Sequence, residues 1–271
     1  MLPLLFTYDF DAPLWRIRID TVAERLALEV RDAEVLLAYF FAYDCRQHSL
    51  LPLPIPQALT WWQGLEEAYD GLVYLHGYAD RKLGQHKGIR ALEAATGTLK
   101  WEATELAFYG LCAEGLLAYP AASTEHAYQL LNAATGQVLQ QAVAQDAAVA
   151  VTESFSRSRY AACQYPVLYP EGEPYFAQVQ AFIAAQLGTE ALKAIEYVET
   201  DAALVVSYYT GEAAGKLDNY LAVFNFEGDL QLHVSLGSSL SGIGSDTFFI
   251  FKHKLYFIRN KDVLQVYSLL L

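Results

Sequence analysis

The sequence predicts an all-β fold built from repeated antiparallel units, on three observations. Tyr and Phe are abundant and Met occurs once, and β-branched or aromatic runs of strand length recur between Gly, Asp and Asn; that is the composition of strands rather than helices. The run Ala94-Ala95-Thr96-Gly97 returns unchanged 39 residues later as Ala133-Ala134-Thr135-Gly136. No Gly/Ser-rich or charge-rich linker divides the 271 residues, 54% of them hydrophobic, so one large repeat-built core is expected.

The repeat gives the elements their order. Residues 71–74 (Gly-Leu-Val-Tyr) are echoed 44 positions on by 115–119 (Gly-Leu-Leu-Ala-Tyr). This offset exceeds that of the Thr-Gly turns by five, which places a longer hairpin loop near 78–87. Each copy reads as an apolar strand, a second strand, a tight turn and a third strand. Gly97 and Gly136 supply the positive φ of the turn, and Glu93 or Asn132 is expected to bond turn amides. A preceding strand, 61–69 or 106–111, makes the unit four-stranded. A period of this length is the mark of a β-propeller blade or a solenoid.

Weaker copies follow at 203–234 and at 25–53. The last, from 248 to 269, is one strand short. Residues 4–8 or 14–19 could supply that strand, as propellers commonly close with both chain ends. The expected architecture is a single domain, 1–271, a β-propeller-like ring of about five antiparallel blades. Their approximate bounds are 21–58, 59–103, 104–145, 188–236, and 237–271 closed by 1–20. Residues 146–187 break the template as an insertion or degenerate unit. Pro166, Pro170 and Pro174 make its middle extended. A helix is expected near 175–187, with Pro174 in its first turn, Phe176, Val179, Ile183 and Leu187 on one face and Gly188 as its stop.

The residues 89–101 (Ile-Arg-Ala-Leu-Glu-Ala-Ala-Thr-Gly-Thr-Leu-Lys-Trp) resemble the repeat of quinoprotein (PQQ-type) propellers, in which a strand ends in an Asp-Ala-x-Thr-Gly-like turn and the next finishes in Trp. The second copy keeps the turn but has Gln140 in place of Trp. The whole chain also resembles a poorly characterised bacterial family of degenerate propeller repeats. The resemblance implies blades rather than catalysis. The adjacent cysteines of the quinoprotein dehydrogenases are missing, so no cofactor is expected, and non-catalytic relatives of this repeat act as assembly scaffolds.

Charge and motifs narrow the function classes. With 18 Lys and Arg against 31 Asp and Glu, a net charge of -13, the chain repels a phosphate backbone, and nucleic acid is not an expected partner. Arg157 and Arg159, in a Ser-rich stretch, read as solvated loop residues. The N-terminus lacks the features of a secretion signal, no apolar run suits a membrane span, and Cys45, Cys112 and Cys163 suggest no disulfide framework, so a cytoplasmic location is expected. Histidines 48, 76, 86, 126, 233 and 253 form no metal motif and read as surface or loop residues. Only His76, Asp80 and His86 lie close in sequence. No Gly-x-Ser-x-Gly elbow occurs. Glu66 and Glu67, as strand neighbours, should face opposite ways and make poor catalytic partners.

The candidate ligand-binding residues are therefore aromatic: Trp61 and Trp62, one on each face of a strand, and Tyr165, Tyr169 and Tyr175 on the insertion. The reading that follows is a non-enzymatic propeller-type binding or scaffold protein, its partner a protein segment or small ligand at the face carrying 165–187. The alternative is a five-bladed carbohydrate-active enzyme or lectin with an axial-channel site. Whether the chain is a monomer or dimer stays open.

Overall fold

The computed structural model describes residues 1–55, 57–122, 127–211 and 215–270, without the side chains of 57–59. Its strands form five antiparallel sheets, and the chain divides into two compact units, residues 12–161 and residues 1–11 with 162–271.

In chain order the first strand is β1 (Leu4–Asp9). The unit 12–161 then begins with a four-stranded meander, β2 (Leu14–Asp20), β3 (Arg25–Asp32), β4 (Leu37–Asp44) and β5 (Ser49–Leu53). A 3-10 turn, Gln57–Trp62, leads to β6 (Gln63–Tyr69), β7 (Leu72–Asp80), β8 (Gln85–Glu93) and β9 (Leu99–Ala103). A third meander has β10 (Leu106–Cys112), β11 (Gly115–Pro120), β12 (Tyr128–Leu131) and β13 (Val138–Val143), and helix α1 (Gln145–Arg159) follows it.

In the other unit come β14 (Cys163–Gln164), β15 (Val167–Pro170) and helix α2 (Pro174–Leu187). After them run β16 (Leu192–Glu199), β17 (Leu204–Gly211), β18 (Leu217–Phe224) and β19 (Leu230–Leu240), then β20 (Phe248–Phe251), β21 (Lys254–Arg259) and β22 (Val263–Ser268). The sheet orders are β15-β16-β17-β18-β19 and β1-β22-β21-β20-β14. The missing strand of the last copy is thus β1, which pairs antiparallel with β22, whereas residues 14–20 open the next sheet. Neither the closed ring nor the count of about five four-stranded blades follows from these ladders. Every sheet is open, and β14 and β15 give two of them a fifth strand.

The repeat survives as packing. Val73 and Leu75 of β7 face the first meander's core with Leu92, while Tyr74 and Ala91 turn to the other side, against Leu116, Ala118 and Leu131. Leu92 and Leu131 are therefore equivalent at the 39-residue offset, but Val73 matches Leu116, so the upstream offset is 43. The turns also match. Asn132 Oδ1 accepts from the amides of Ala134 and Thr135 at 3.0 Å. Glu93, one methylene longer, accepts instead from the hydroxyls of Thr96 and Thr98. Tyr74 and Trp101 both donate to the Ala133 carbonyl, at 3.1 and 2.9 Å, and fasten the second turn to the preceding sheet.

Helix α2 runs from Pro174 in its first turn to Gly188 in the left-handed conformation, φ 65°. Phe176 and Ile183 are buried on β16–β18 beside Ile195, Val206 and Phe224, each contributing about 1.5–3 kcal/mol. The Pro-rich stretch before it forms the edge strand β15. Helix α1 is unforeseen in the sequence, and it corrects the reading of Arg157 and Arg159 as loop residues: both lie in its last turn, and Arg159 is buried. Among the described residues no helix is long and apolar enough to cross a membrane.

Candidate functional site

The cleft of interest forms within the unit 12–161, where β6–β8 meet β10 and α1. Three backbone irregularities build it. In β6, Leu65 pairs with Leu75 and Glu67 with Tyr74, so Glu66 is an extra, bulged residue. A bulge breaks the alternation of faces, and Glu66 and Glu67 both line the cleft. The expectation that they face opposite ways fails for that reason. In β10 the same device recurs at Tyr109, between the Phe108–Ala118 and Gly110–Leu117 pairs. In β8, Gly88 at φ 85° is skipped between Ile89, opposite His76, and Lys87, opposite Gly77. His86 and Ile89, an odd number of residues apart, thereby share a face with His76.

The neighbouring meander holds the bulge in place. Arg16 donates to the Leu65 carbonyl and Arg18 to that of Glu66, the latter at 2.8 Å. Buried Glu29 accepts from the Leu65 amide at 2.8 Å, and buried Asp20 accepts from the Gly71 amide at 2.7 Å. Arg31 donates to the Trp61 and Gln63 carbonyls. These charge-assisted bonds leave the backbone polar groups of the bulge paired despite its irregularity.

On this frame Glu66, His76 and His86 converge. Glu66 Oε1 lies 2.9 Å from His76 Nδ1 and 2.8 Å from His86 Nδ1, and the two imidazoles stack at 3.5 Å between centroids, 12° from parallel. His76 is 1% exposed and its ring lies over Gly64, where a Cβ would come within 2.4 Å of it. Its Nδ1 lacks the alignment of a hydrogen bond to Glu66, and its Nε2 has no hydrogen-bond partner among the described residues. Burial alone would raise the Glu66 carboxyl, but the two imidazoles outweigh it and lower it to about 2. Burial keeps the His76 imidazole below its usual range, against the opposing pull of Glu66. The group is thus a carboxylate facing a buried imidazole whose charged form burial disfavours.

The rest of the cleft is polar, about 380 Å³, and open to solvent, with Arg18, Tyr109, Thr152, Glu153 and Ser156 among its lining. Glu67 is engaged by Arg159 and Tyr160, both at 3.2 Å. The Arg159 guanidinium also donates to the Ala68 and Ile19 carbonyls at 2.7 and 3.0 Å and lies 4.5 Å from the Tyr160 ring centroid.

This grouping corrects the reading of the histidines. His76 and His86 sit on strands, because β7 and β8 extend to Asp80 and from Gln85, leaving a turn of only 81–84 where a long loop was expected. Asp80 takes no part; it accepts from the amides of Lys82 and Leu83 in that turn. Their partner is Glu66, from a third strand. His126 lies outside the described residues.

The aromatic candidates fall elsewhere. Trp61 and Trp62 are in the 3-10 turn, not on a strand, and each is covered by a different arginine: Arg31 at 5.2 Å from the Trp61 ring and Arg81 at 4.6 Å from that of Trp62. Trp62 also meets Tyr78 edge-on. In the other unit Tyr169 and Tyr175 come together at 5.4 Å, Tyr175 being 58% exposed, while Tyr165 lies 6.1 Å from Phe249.

The family model of a domain of unknown function (DUF4905) matches residues 19–101, the stretch that carries Glu66, His76 and His86. No curated protein matches the chain. Among solved structures it is similar to a eukaryotic initiation factor, with 7% identity over 95% of this chain and 52% of that one and a TM-score of 0.35. It is also similar to TolB from Acinetobacter baumannii, with 9% identity over 95% and 55% and a TM-score of 0.34. A third is the β-propeller domain of the Trilobed protease from Pyrococcus furiosus, with 9% identity over 92% and 78% and a TM-score of 0.29. The chain spans about half the length of the first two.

Proposed function

We propose that the chain is a propeller-type binding module that takes a small polar ligand in the cleft bounded by Glu66, Glu67, His86 and α1. The observation that carries this reading is the commitment of the two carboxylates that β6 brings to it. Glu67 is held by Arg159 and Tyr160, and Glu66 is lowered to about 2. A general acid needs a proton near neutral pH, and Glu66 is the opposite of that. What remains for a ligand is a set of hydrogen-bonding groups in a concave site.

A second reading, a carbohydrate-active site, draws support from the β6 bulge, which puts Glu66 and Glu67 on one cleft with Glu153 of α1, since paired carboxylates are the raw material of glycoside hydrolysis. The same pairing of Glu67 and lowering of Glu66 argue against it. The test is saturation-transfer NMR with a panel of monosaccharides, amino acids and small dicarboxylates, on the wild type and on Ser156→Trp, which fills the cleft from α1. Binding lost in the variant supports the module. Binding unaffected by the variant, or none across the panel, overturns it, and turnover of aryl glycosides would favour the second reading.

A further inference from the structure

We propose that Glu66, His76 and His86 form a three-ligand site for a divalent transition-metal ion, zinc foremost, with its remaining position open to the cleft. The proposal stands apart from the ligand reading above, since the metal would bind whether or not the cleft takes an organic molecule.

Three independent strands deliver one ligand atom each, all within 4.8 Å of one another. Two imidazoles and a carboxylate are a donor set suited to zinc and its neighbours in the first transition row. The second observation is His76 itself. A buried ring nitrogen without a hydrogen bond is costly, yet Nδ1 points at the Glu66 carboxylate without the alignment of one. A cation between them satisfies Nδ1, His86 Nδ1 and the carboxylate together.

The spacing is that of a slightly collapsed shell. With bonds of about 2.0–2.1 Å, neighbouring ligand atoms around a tetrahedral ion are roughly 3.3 Å apart, against the 2.8 and 2.9 Å found here. Two rings stacked 3.5 Å apart and 12° from parallel cannot both aim an in-plane lone pair at one ion, so binding requires the His86 ring to swing off the stack as the ligand atoms open by about half an ångström. Part-exposed His86 and Glu66, on a bulge, are the ligands able to give, while the His76 ring is fixed between Gly64 and the edge of Tyr78. The His86 side chain is 34% exposed and Glu66 13%, so the open position is reached from the cleft and suits a water molecule.

The surrounding charge sets the strength. Arg18 faces the same cleft and opposes a cation, while the charge of Glu67 is already matched by Arg159. Among the described residues His76 Nε2 has no acceptor to orient the ring, and the lack of such a partner weakens metal sites about 10–100-fold. Binding is therefore expected in the micromolar range rather than the nanomolar range of structural zinc sites.

The experiment is calorimetric titration of the metal-stripped full chain with Zn²⁺ alone, repeated with Co²⁺ for its absorption spectrum. One equivalent of Zn²⁺ and a tetrahedral cobalt spectrum are expected. His86→Ala and Glu66→Gln should each weaken binding at least tenfold, with circular dichroism unchanged, and His233→Ala, on the other unit, should leave it intact. No uptake by the wild type, or uptake that survives both ligand variants, overturns the proposal. Should either variant misfold, the wild-type stoichiometry and cobalt spectrum decide it. No organic ligand enters the titration, so the binding-module reading can fail while the metal site stands.

Discussion

At the scale of single residues, Glu66 makes the sharpest claim. Its carboxyl meets His76 and His86 and shares the cleft with Arg18 and Glu67, and in the fold it is lowered from 4.5 to about 2. A group lowered on folding adds stability above its unfolded value and loses it as pH falls toward the folded one. Glu66→Gln is therefore expected to cost on the order of 2 kcal/mol at neutral pH. Urea denaturation should show the wild-type advantage shrinking as pH falls from about 4.5 toward 2. Gly136 offers a second test. At φ 70°, an added Cβ would also meet the Trp101 ring at 2.7 Å, whereas Gly71, at φ 79°, has nothing within 4 Å. Gly71→Ala should cost about 1 kcal/mol in strain alone and Gly136→Ala roughly 2–3, with clash added to strain. Equal losses in thermal melts would show that the Trp101 contact carries no weight.

At the scale of elements, α1 is the segment most dependent on one side chain. Its N-cap, Ala144, provides no side-chain hydrogen bond, and Ala148 is its one fully buried apolar residue. Arg159, bonded to two carbonyls and to Glu67, is its main anchor. Arg159→Met should cost about 3 kcal/mol by stranding Glu67 and the carbonyls, and hydrogen exchange should rise first across 145–159. The same facts explain what could be read from the sequence. Helix α2 announces itself through Pro174, a four-residue apolar stripe and Gly188; α1 has small residues and no cap. The strands of the repeated meanders were visible because their cores alternate. Glu66, His76 and His86 were not visible as a group, because two bulges bring them together and alternation alone sends Glu66 and Glu67 apart. Gly64 and Gly88 were the signals available: one glycine under a ring and one inside a strand, where glycine marks a bulge or a close approach.

At the scale of the whole molecule, the pairing of β1 with β22 joins residues at opposite ends of the chain, and the hydrogen bond from Ser268 N to Pro3 O extends it. Removing residues 1–9 bares the inner edge of β22, Gln265 and Val266 included. An unpaired strand edge recruits another chain, so the truncated protein is expected to self-associate, as light scattering would reveal; a monodisperse monomer would show the edge to be protected by other means. That a terminal strand completes the last sheet was legible, since the final copy was one strand short. Which of the two candidates filled the gap was not, because 4–8 and 14–19 are both apolar runs of strand length.

The bulges of β6 and β10 occupy the same place in their meanders, each three residues before the strand's last residue, and they present Glu66 in one and Tyr109 in the other to a single cleft. The backbone there decides where a side chain is aimed, and the residue aimed is free to differ between copies. The two meanders therefore carry equivalent sockets whose contents can change without a new loop: Tyr109→Glu would add a further carboxylate to the cleft from β10, and Glu66→Tyr would remove one from β6 and put an aromatic ring in its place.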